Sequence, residues 1–257
     1  MYFLAGFFSI VFFAGVALLL AGPALAHFGH IPALAGLGLA AVGAVCVLLG
    51  SGGDLAMRWK QYRAAPQKTA TLDAPDAPRP VSGSRLLVQG AVTGLWLLVL
   101  LGVVVSGARH PMLNDISTDL EDPPELRHAA ALPANQSRDL SFPADTVETI
   151  RKAYADLGPL CIAAGADAVY ERTLELAQRQ PHWSITHTDP GARRFEGAAE
   201  TGLFRFRDDF VVRVRPTKEG AIVDMRSKSR DGKSDLGANA KRIRGFFAQL
   251  REAFSGN

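Results

Sequence analysis

Three long apolar stretches constrain this chain more than any other feature of its sequence. They lie at Tyr2–Ala21, Ile31–Gly50 and Leu86–Gly107. Each is long enough to cross a bilayer as a helix, and a helix satisfies its own backbone hydrogen bonds inside lipid. The sequence therefore predicts a membrane region at 1–107 with three transmembrane α-helices. A polar domain follows at 108–257.

The first apolar stretch has two possible interpretations. Its end, Ala24-Leu25-Ala26, resembles a signal-peptidase site, but no Lys or Arg precedes the apolar run. We favour an uncleaved helix, and a cleaved signal peptide is the alternative. The second stretch, Ile31–Gly50, is rich in Gly and Ala, which favours close packing against another helix.

The orientation in the membrane is predicted from the loop Ser51–Arg85. This loop is basic, whereas the hairpin Gly22–His30 contains no Lys or Arg. The positive-inside rule places the basic loop in the cytoplasm and the C-terminal domain on the periplasmic side of the inner membrane. The second half of the loop is rich in Ala and Pro and is predicted to be a disordered linker.

The polar domain is neutral by count but polarised along the chain. Acidic residues prevail near its start and basic residues near its end, although the whole chain has a net charge of +3. We interpret this as self-complementarity, with the acidic segment lying on the basic one. A neutral domain without interleaved aromatic residues does not favour nucleic-acid binding. The two cysteines, Cys46 and Cys161, lie in different regions and are not expected to pair.

The apolar patterns predict an α+β fold, with an antiparallel sheet of about four strands and helices on one face. Alternation predicts strands at Trp183–Thr188, Arg193–Thr201, Leu203–Arg207, Phe210–Arg215 and Ile222–Ser229. Helices are expected at Asp145–Ala155, at Ala166–Gln180, and over a stripe formed by Ile243, Phe246, Phe247, Leu250 and Phe254.

Arg207-Asp208-Asp209 can be interpreted in two ways. A hairpin turn is favoured, because the alternation on each side is short. In a continuous strand, Asp208 would share the buried face with Phe210 and Val212 and would need a partner.

The strand Ile222–Ser229 and the helix after it form the most informative unit. Val223 and Met225 point to one face, which suits the core, and Asp224 and Arg226 point to the other, which suits water or a partner. Ser234 and Asp235 are good caps for the following helix. The N-terminus of that helix would then meet the basic end of the strand, where it could hold an anion.

Three separated motifs resemble one known family. They are LNDISTDLEDPP at Leu113–Pro124, FRDDFVVRVRP at Phe206–Pro216 and RSKSRDGKSDLGANAKRIRGF at Arg226–Phe246. In this order they are similar to the domain-of-unknown-function family 1499, and the resemblance spans roughly Pro111 to Phe254. The resemblance implies a small α+β domain that is membrane-attached or exported, and it implies no particular activity.

The candidate polar site combines residues from all three motifs. Its members are Asp115, Thr118, Asp119, Asp122, Asp208, Arg226, Ser229, Arg230, Asp235, Asn239 and Arg242. The arginines could bind an anionic envelope ligand or a lipid headgroup. Internal pairing, with Asp115, Asp119, Glu121 and Asp122 or with Asp208 and Asp209, is the favoured alternative. We expect Asp115–Asp122 to dock around Arg226, Arg230 and Arg242.

Catalysis and metal binding are the minority interpretations. Ser227 and Ser229 invite a hydrolase hypothesis, but no histidine lies near them in the sequence and there is no Gly-x-Ser-x-Gly elbow. The acidic Asn114–Asp119 segment lacks the glycine and distal Glu of a calcium loop. We expect no metal and no cofactor.

The sequence thus favours a membrane-anchored binding module in envelope assembly or maintenance, with an enzyme acting on an envelope substrate as the alternative.

Overall fold

The computed structural model describes residues 2–64 and 83–255. The chain divides into two compact units, Met1–Val105 and Ser106–Asn257.

The first unit is helical. Its helices are α1 (Tyr2–His27), α2 (Ala33–Ala64) and α3 (Gly83–Arg109), and α3 continues into the second unit. Stretches of 21, 25 and 23 residues within them are long and apolar enough to cross a membrane, which confirms the three predicted helices. Helix α2 continues to Ala64, so the first part of the predicted loop Ser51–Arg85 is helical. Its Ala/Pro-rich part lies outside the described residues.

Helices α1 and α2 pack closely through glycines. A Cβ atom added at Gly22 would lie 2.4 Å from the carbonyl oxygen of Gly36. A Cβ atom at Gly15 would lie 2.7 Å from the carbonyl oxygen of Gly43. Small residues therefore let the two backbones touch, as the composition of the second stretch predicts.

The second unit is an α+β domain with a six-stranded antiparallel sheet. Its strands are β1 (Asp115–Ser117), β2 (Leu160–Ile162), β3 (Trp183–Asp189), β4 (Arg194–Glu200), β5 (Arg207–Thr217) and β6 (Gly220–Ser229). Its remaining α-helices are α4 (Arg127–Ala131), α5 (Val147–Ala153), α6 (Ala166–Gln178) and α7 (Ala238–Ser255). The strand order is β1-β6-β5-β4-β3, and β2 also pairs with β6. The predicted fold class is confirmed; the two additional strands have only three residues each.

The predicted hairpin turn at Arg207-Asp208-Asp209 is wrong, and so is the predicted strand Leu203–Arg207. Strand β5 begins at Arg207, and Asp208 pairs in register with Ser229 of β6. The turn lies earlier, where the Thr201 N–H donates to the Phe206 carbonyl oxygen at 2.9 Å. Asp208 can stay in the strand because Arg242 of α7 pairs with its carboxylate.

The main core lies between one face of the sheet and the helices. Phe195, Phe210 and Met225 of the sheet and Phe246 of α7 are almost completely buried. The ring of Trp183 lies 4.5 Å from that of Phe210 and 5.2 Å from that of Phe246, centroid to centroid. The predicted apolar stripe of α7 therefore faces the core.

The second face of the sheet is also buried. It carries a small apolar cluster formed by Leu126, Ala129, Leu140 and Val211. Charged side chains such as Asp224 and Arg226 lie beside it and are inaccessible to solvent. The chain between β1 and α5 supplies this cover, so a segment of the domain itself takes the place of the water or partner expected on this face.

Candidate functional site

The predicted site residues lie on both faces of the sheet. Asp115, Asp119, Arg226 and Arg230 belong to the face covered by the β1–α5 segment. Asp208, Ser229, Asn239 and Arg242 lie on the face covered by α7. We call the first set, with its partners, the outer network and the second set the inner cluster.

Arg226 is the centre of the outer network. Its Nε and Nη2 atoms donate to the two carboxylate oxygens of Asp115, at 2.9 and 2.8 Å. The same guanidinium donates to the carbonyl oxygens of Leu140 (2.8 Å) and Pro124 (3.3 Å). Lys228 Nζ donates to the Asp115 carboxylate at 2.9 Å. Register explains the pairing, because Asp115 stands opposite Lys228 in the β1–β6 ladder.

A second part of the outer network joins three carboxylates through two arginines. Asp119 Oδ2 accepts from Arg215 Nη2 at 2.7 Å and from Arg213 Nη2 at 3.2 Å. Arg213 also donates to Asp122 at 2.8 Å, and Arg215 Nε donates to Asp224 at 2.9 Å. The acidic segment is thereby fixed to strand β5 as well as to β6.

Asp224 is a buried carboxylate of this group with an incomplete set of hydrogen bonds. It is fully buried, and its Oδ1 atom has no hydrogen-bond partner among the described residues. Burial raises the pKa of Asp224 above its ordinary value, while Arg215 and Arg213 act in the opposite direction. Burial, together with the neighbouring Asp119, therefore outweighs the two arginines in setting the pKa of Asp224.

Asp209 holds the third part of the outer network. Arg230 donates to it through Nη2 at 2.6 Å and through Nε at 3.1 Å. Arg138 Nη1 and Asn135 Nδ2 donate to the same carboxylate at 3.1 and 3.0 Å. Arg138 also donates to the Ser229 carbonyl oxygen at 2.6 Å. Arg230 is therefore occupied within the domain.

The inner cluster is centred on Asn239, at the start of α7. Its Oδ1 atom accepts from Ser227 Oγ at 2.7 Å and from Arg242 Nη1 at 2.5 Å. Its Nδ2 atom donates to Ser229 Oγ at 3.0 Å. Arg242 also donates to the buried carboxylate of Asp208. Asp208 thus has the partner that a carboxylate on the core face of a strand requires.

The two remaining predicted residues bond to the backbone. Asp235 accepts from the N–H groups of Gly237 and Asn239, both at 2.8 Å, and so caps α7. Thr118 Oγ1 accepts from the Met225 N–H at 2.9 Å. Both contacts fix local structure.

The predicted docking of the acidic segment is confirmed only for one arginine. Asp115 pairs with Arg226. Arg230 pairs with Asp209 and Arg242 with Asp208, so the prediction that the acidic segment docks on these two is wrong. Asp119 pairs instead with Arg213 and Arg215, which are not among the predicted site residues.

Sequence reasoning missed Glu196 as a member of the outer network. Its carboxylate accepts from the N–H groups of Arg127, His128 and Ala129 at 2.9, 3.0 and 2.8 Å, and from Arg194 at 2.8 Å. An isolated acidic residue in a strand gives no signal of this role, because its partners are backbone groups of α4.

A small pocket lies beside this helix and away from the predicted site. It has a volume of about 310 Å³ and is lined by Arg127, His128, Ala131, His187, Asp189, Arg194 and Glu196. The rings of His128 and His187 stack at 4.8 Å with an interplanar angle of 11°. In the described parts of the chain, no three His, Cys, Asp or Glu side chains converge as metal ligands would.

Comparison with known proteins identifies a family. The family model for the protein of unknown function DUF1499 matches residues 115–250. A search of curated proteins gave no match. Among solved structures, the chain is similar to the crystal structure of protein MLL2253 from Mesorhizobium loti, with 13% identity and a TM-score of 0.26. That match covers 37% of this chain and 94% of the other.

Proposed function

The chain belongs to the DUF1499 family, and we propose that this member is a membrane-anchored interaction module of the cell envelope. In this proposal α1 to α3 hold the chain in the inner membrane, and the C-terminal unit faces the periplasm. The module works in envelope assembly or maintenance by binding rather than by catalysis.

One observation carries this proposal: the charged side chains of the candidate site form ion pairs with other residues of the same domain. Arg226, Arg230 and Arg242 are each held by a buried carboxylate. Such networks fix the shape of a domain and leave few donors for a ligand. A module that presents a rigid surface fits this arrangement better than an enzyme with a reactive pocket.

The alternative, an enzyme at the junction of β6 and α7, has less support. The hydroxyl groups of Ser227 and Ser229 are buried and bond to the amide of Asn239. An amide cannot take a proton from serine as a histidine does. Arg242 also pairs with Asp208, so its guanidinium is not available to an anionic envelope ligand or headgroup.

The double variant Ser227→Ala/Ser229→Ala separates the two functions. Asn239 keeps Arg242 as a donor and the Asn114 carbonyl oxygen as an acceptor when both hydroxyls are removed. We therefore expect the variant to fold and to restore the growth under detergent and osmotic stress of a strain that lacks the chain. Failure to restore growth, at wild-type abundance and with a native melting curve, would favour the enzyme.

The proposed orientation is tested by fusions to alkaline phosphatase. A fusion after Gly107 is expected to be active and a fusion near Pro75 inactive, because the basic residues between the second and third spans favour the cytoplasm. Western blots of both fusions control for expression. The reverse pattern of activity would place the C-terminal unit in the cytoplasm and remove the envelope role.

A further inference from the structure

Large apolar side chains that are strongly exposed are rare in the described part of the C-terminal unit. Within residues 107–255 they are Met112, Leu203 and Leu236, with exposures of 74%, 60% and 43%. Scattered exposed apolar residues need no explanation, but a group at one place indicates a contact surface. The positions of Met112, Leu203 and Leu236 in the fold therefore decide whether they form one surface.

The sheet places Leu203 and Leu236 at the same end. Leu203 lies in the turn before β5, and Leu236 lies in the loop after β6. Because β5 and β6 are antiparallel, the start of one strand lies beside the end of the other. The Arg230 N–H donates to the Arg207 carbonyl oxygen at 2.8 Å, which joins the two loops at their base.

Met112 lies at this end as well, in the segment that follows α3. The Asp235 N–H donates to the Leu113 carbonyl oxygen at 3.0 Å, and Asn114 Nδ2 donates to the Gly232 carbonyl oxygen at 2.6 Å. The loop that carries Leu236 is thus bonded to the residues beside Met112. A Cβ atom added at Gly107, in the last turn of α3, would lie 3.8 Å from Leu236 Cδ2.

The third apolar span ends at Arg109, three residues before Met112. The loop after β6, bonded to residues 113 and 114, is therefore attached to the chain directly after the C-terminal end of this span. We propose that Met112, Leu203 and Leu236 form a bilayer-contact end, which rests in the interfacial region of the same membrane that holds α3.

Charge at the bilayer-contact end fits a phospholipid surface. Arg109, Lys233 and Arg207 are exposed there, and long basic side chains beside apolar anchors reach the headgroup phosphates. Arg207 also pairs with Glu200, which moderates the positive charge. The apolar side chains thus determine the contact, and the exposed Arg109 and Lys233 add an attraction to anionic lipids.

The opposite end of the sheet provides a matched control. There β5 and β6 are joined by a tight turn, with Thr217 opposite Gly220. The turn residues Lys218 and Glu219 are exposed and charged. A probe at Lys218 reports a site on the same sheet at the far end of the same strands.

The experiment uses the full chain in liposomes of phosphatidylethanolamine and phosphatidylglycerol. Cysteines at 112, 203, 236 or 218 are introduced one at a time into a Cys46→Ala/Cys161→Ser background and labelled with a nitroxide. Collision rates with oxygen, which concentrates in lipid, are compared with those of a water-soluble nickel chelate. We expect the ratio of oxygen to nickel collisions at 112, 203 and 236 to be several times that at 218.

Nickel accessibility at the three positions equal to that at 218 would overturn the proposal. Protection from both reagents, with dipolar broadening between labels, would also overturn it and would assign this end to contact between two copies. The proposal rests on the membrane anchoring of the proposed function but not on its periplasmic orientation. The phosphatase fusions test that orientation alone, so the failure of one proposal can be told from the failure of the other.

Discussion

Arg226→Ala should destabilise the C-terminal unit by roughly 3–5 kcal/mol, because it leaves a buried charge without its main partner. Asp115 would lose both guanidinium bonds and keep only Lys228. The carbonyl oxygens of Pro124 and Leu140 would lose a donor at the same time. This is a cost of removing one partner and does not measure how much the intact pair stabilises the fold.

The measurement is urea unfolding of the full chain in detergent micelles. Replacing Trp59 and Trp96 by Phe leaves Trp183, which contacts Phe210 and Phe246, as the fluorescent reporter of the C-terminal unit.

Arg127→Ala is the matched control for this measurement. Arg127 pairs with Glu125, and the two side chains are 70% and 69% exposed. Exposed pairs contribute about 0–1 kcal/mol. The loss of unfolding free energy for Arg226→Lys should fall between those of the two alanine variants, because lysine keeps the charge but cannot form the bidentate pair with Asp115. A loss for Arg226→Ala no larger than that for Arg127→Ala would show that the outer network does not hold the fold together.

The elements that the sequence predicts well are those in which local pattern and tertiary packing agree. The α7 stripe from Ile243 to Leu250 is buried as its spacing predicts, and Ile222–Ser229 forms a strand whose Val223 and Met225 face the core. The short strands β1 and β2 carry too few residues for an alternation to be visible. Their position depends on the neighbour β6, and a local pattern does not contain that neighbour.

The pairing of charges was predictable in kind but not in detail. A neutral domain with an acidic start and a basic end indicates internal ion pairs. Which acid meets which base depends on register, and register places Asp208 and Asp209 beside the end of β6. With these two carboxylates in a strand instead of a turn, Arg242 and Arg230 have close partners from the sheet itself. Docking on the acidic segment is therefore wrong for Arg230 and Arg242, whereas the alternative of pairing with Asp208 and Asp209 is confirmed for both.

The buried second face of the sheet could not be read from the pattern either. Alternation of Asp224 and Arg226 with Val223 and Met225 is typical of a strand with one solvent-exposed face. Here the β1–α5 segment covers that face, and it supplies Asp115 and carbonyl oxygens to satisfy the charges it buries. A polar layer between a sheet and its cover has the same sequence pattern as a solvated surface.

Phe246→Ala should lower the free energy of unfolding of the C-terminal unit by roughly 3–5 kcal/mol, as large-to-small changes of aromatic core residues do. Phe246 is 2% exposed and lies on α7 against the sheet, with its ring 5.2 Å from that of Trp183. Its removal leaves a cavity beside Trp183 of β3, where the neighbouring rings cannot close the space without leaving their own contacts. Phe254→Ala, near the end of the same helix and only partly buried, is the control and should cost less. An unchanged urea midpoint for Phe246→Ala, read from Trp183, would mean that α7 does not pack on the sheet. Since α7 positions Asn239 and Arg242, the inner cluster would then lose the helix that holds it together.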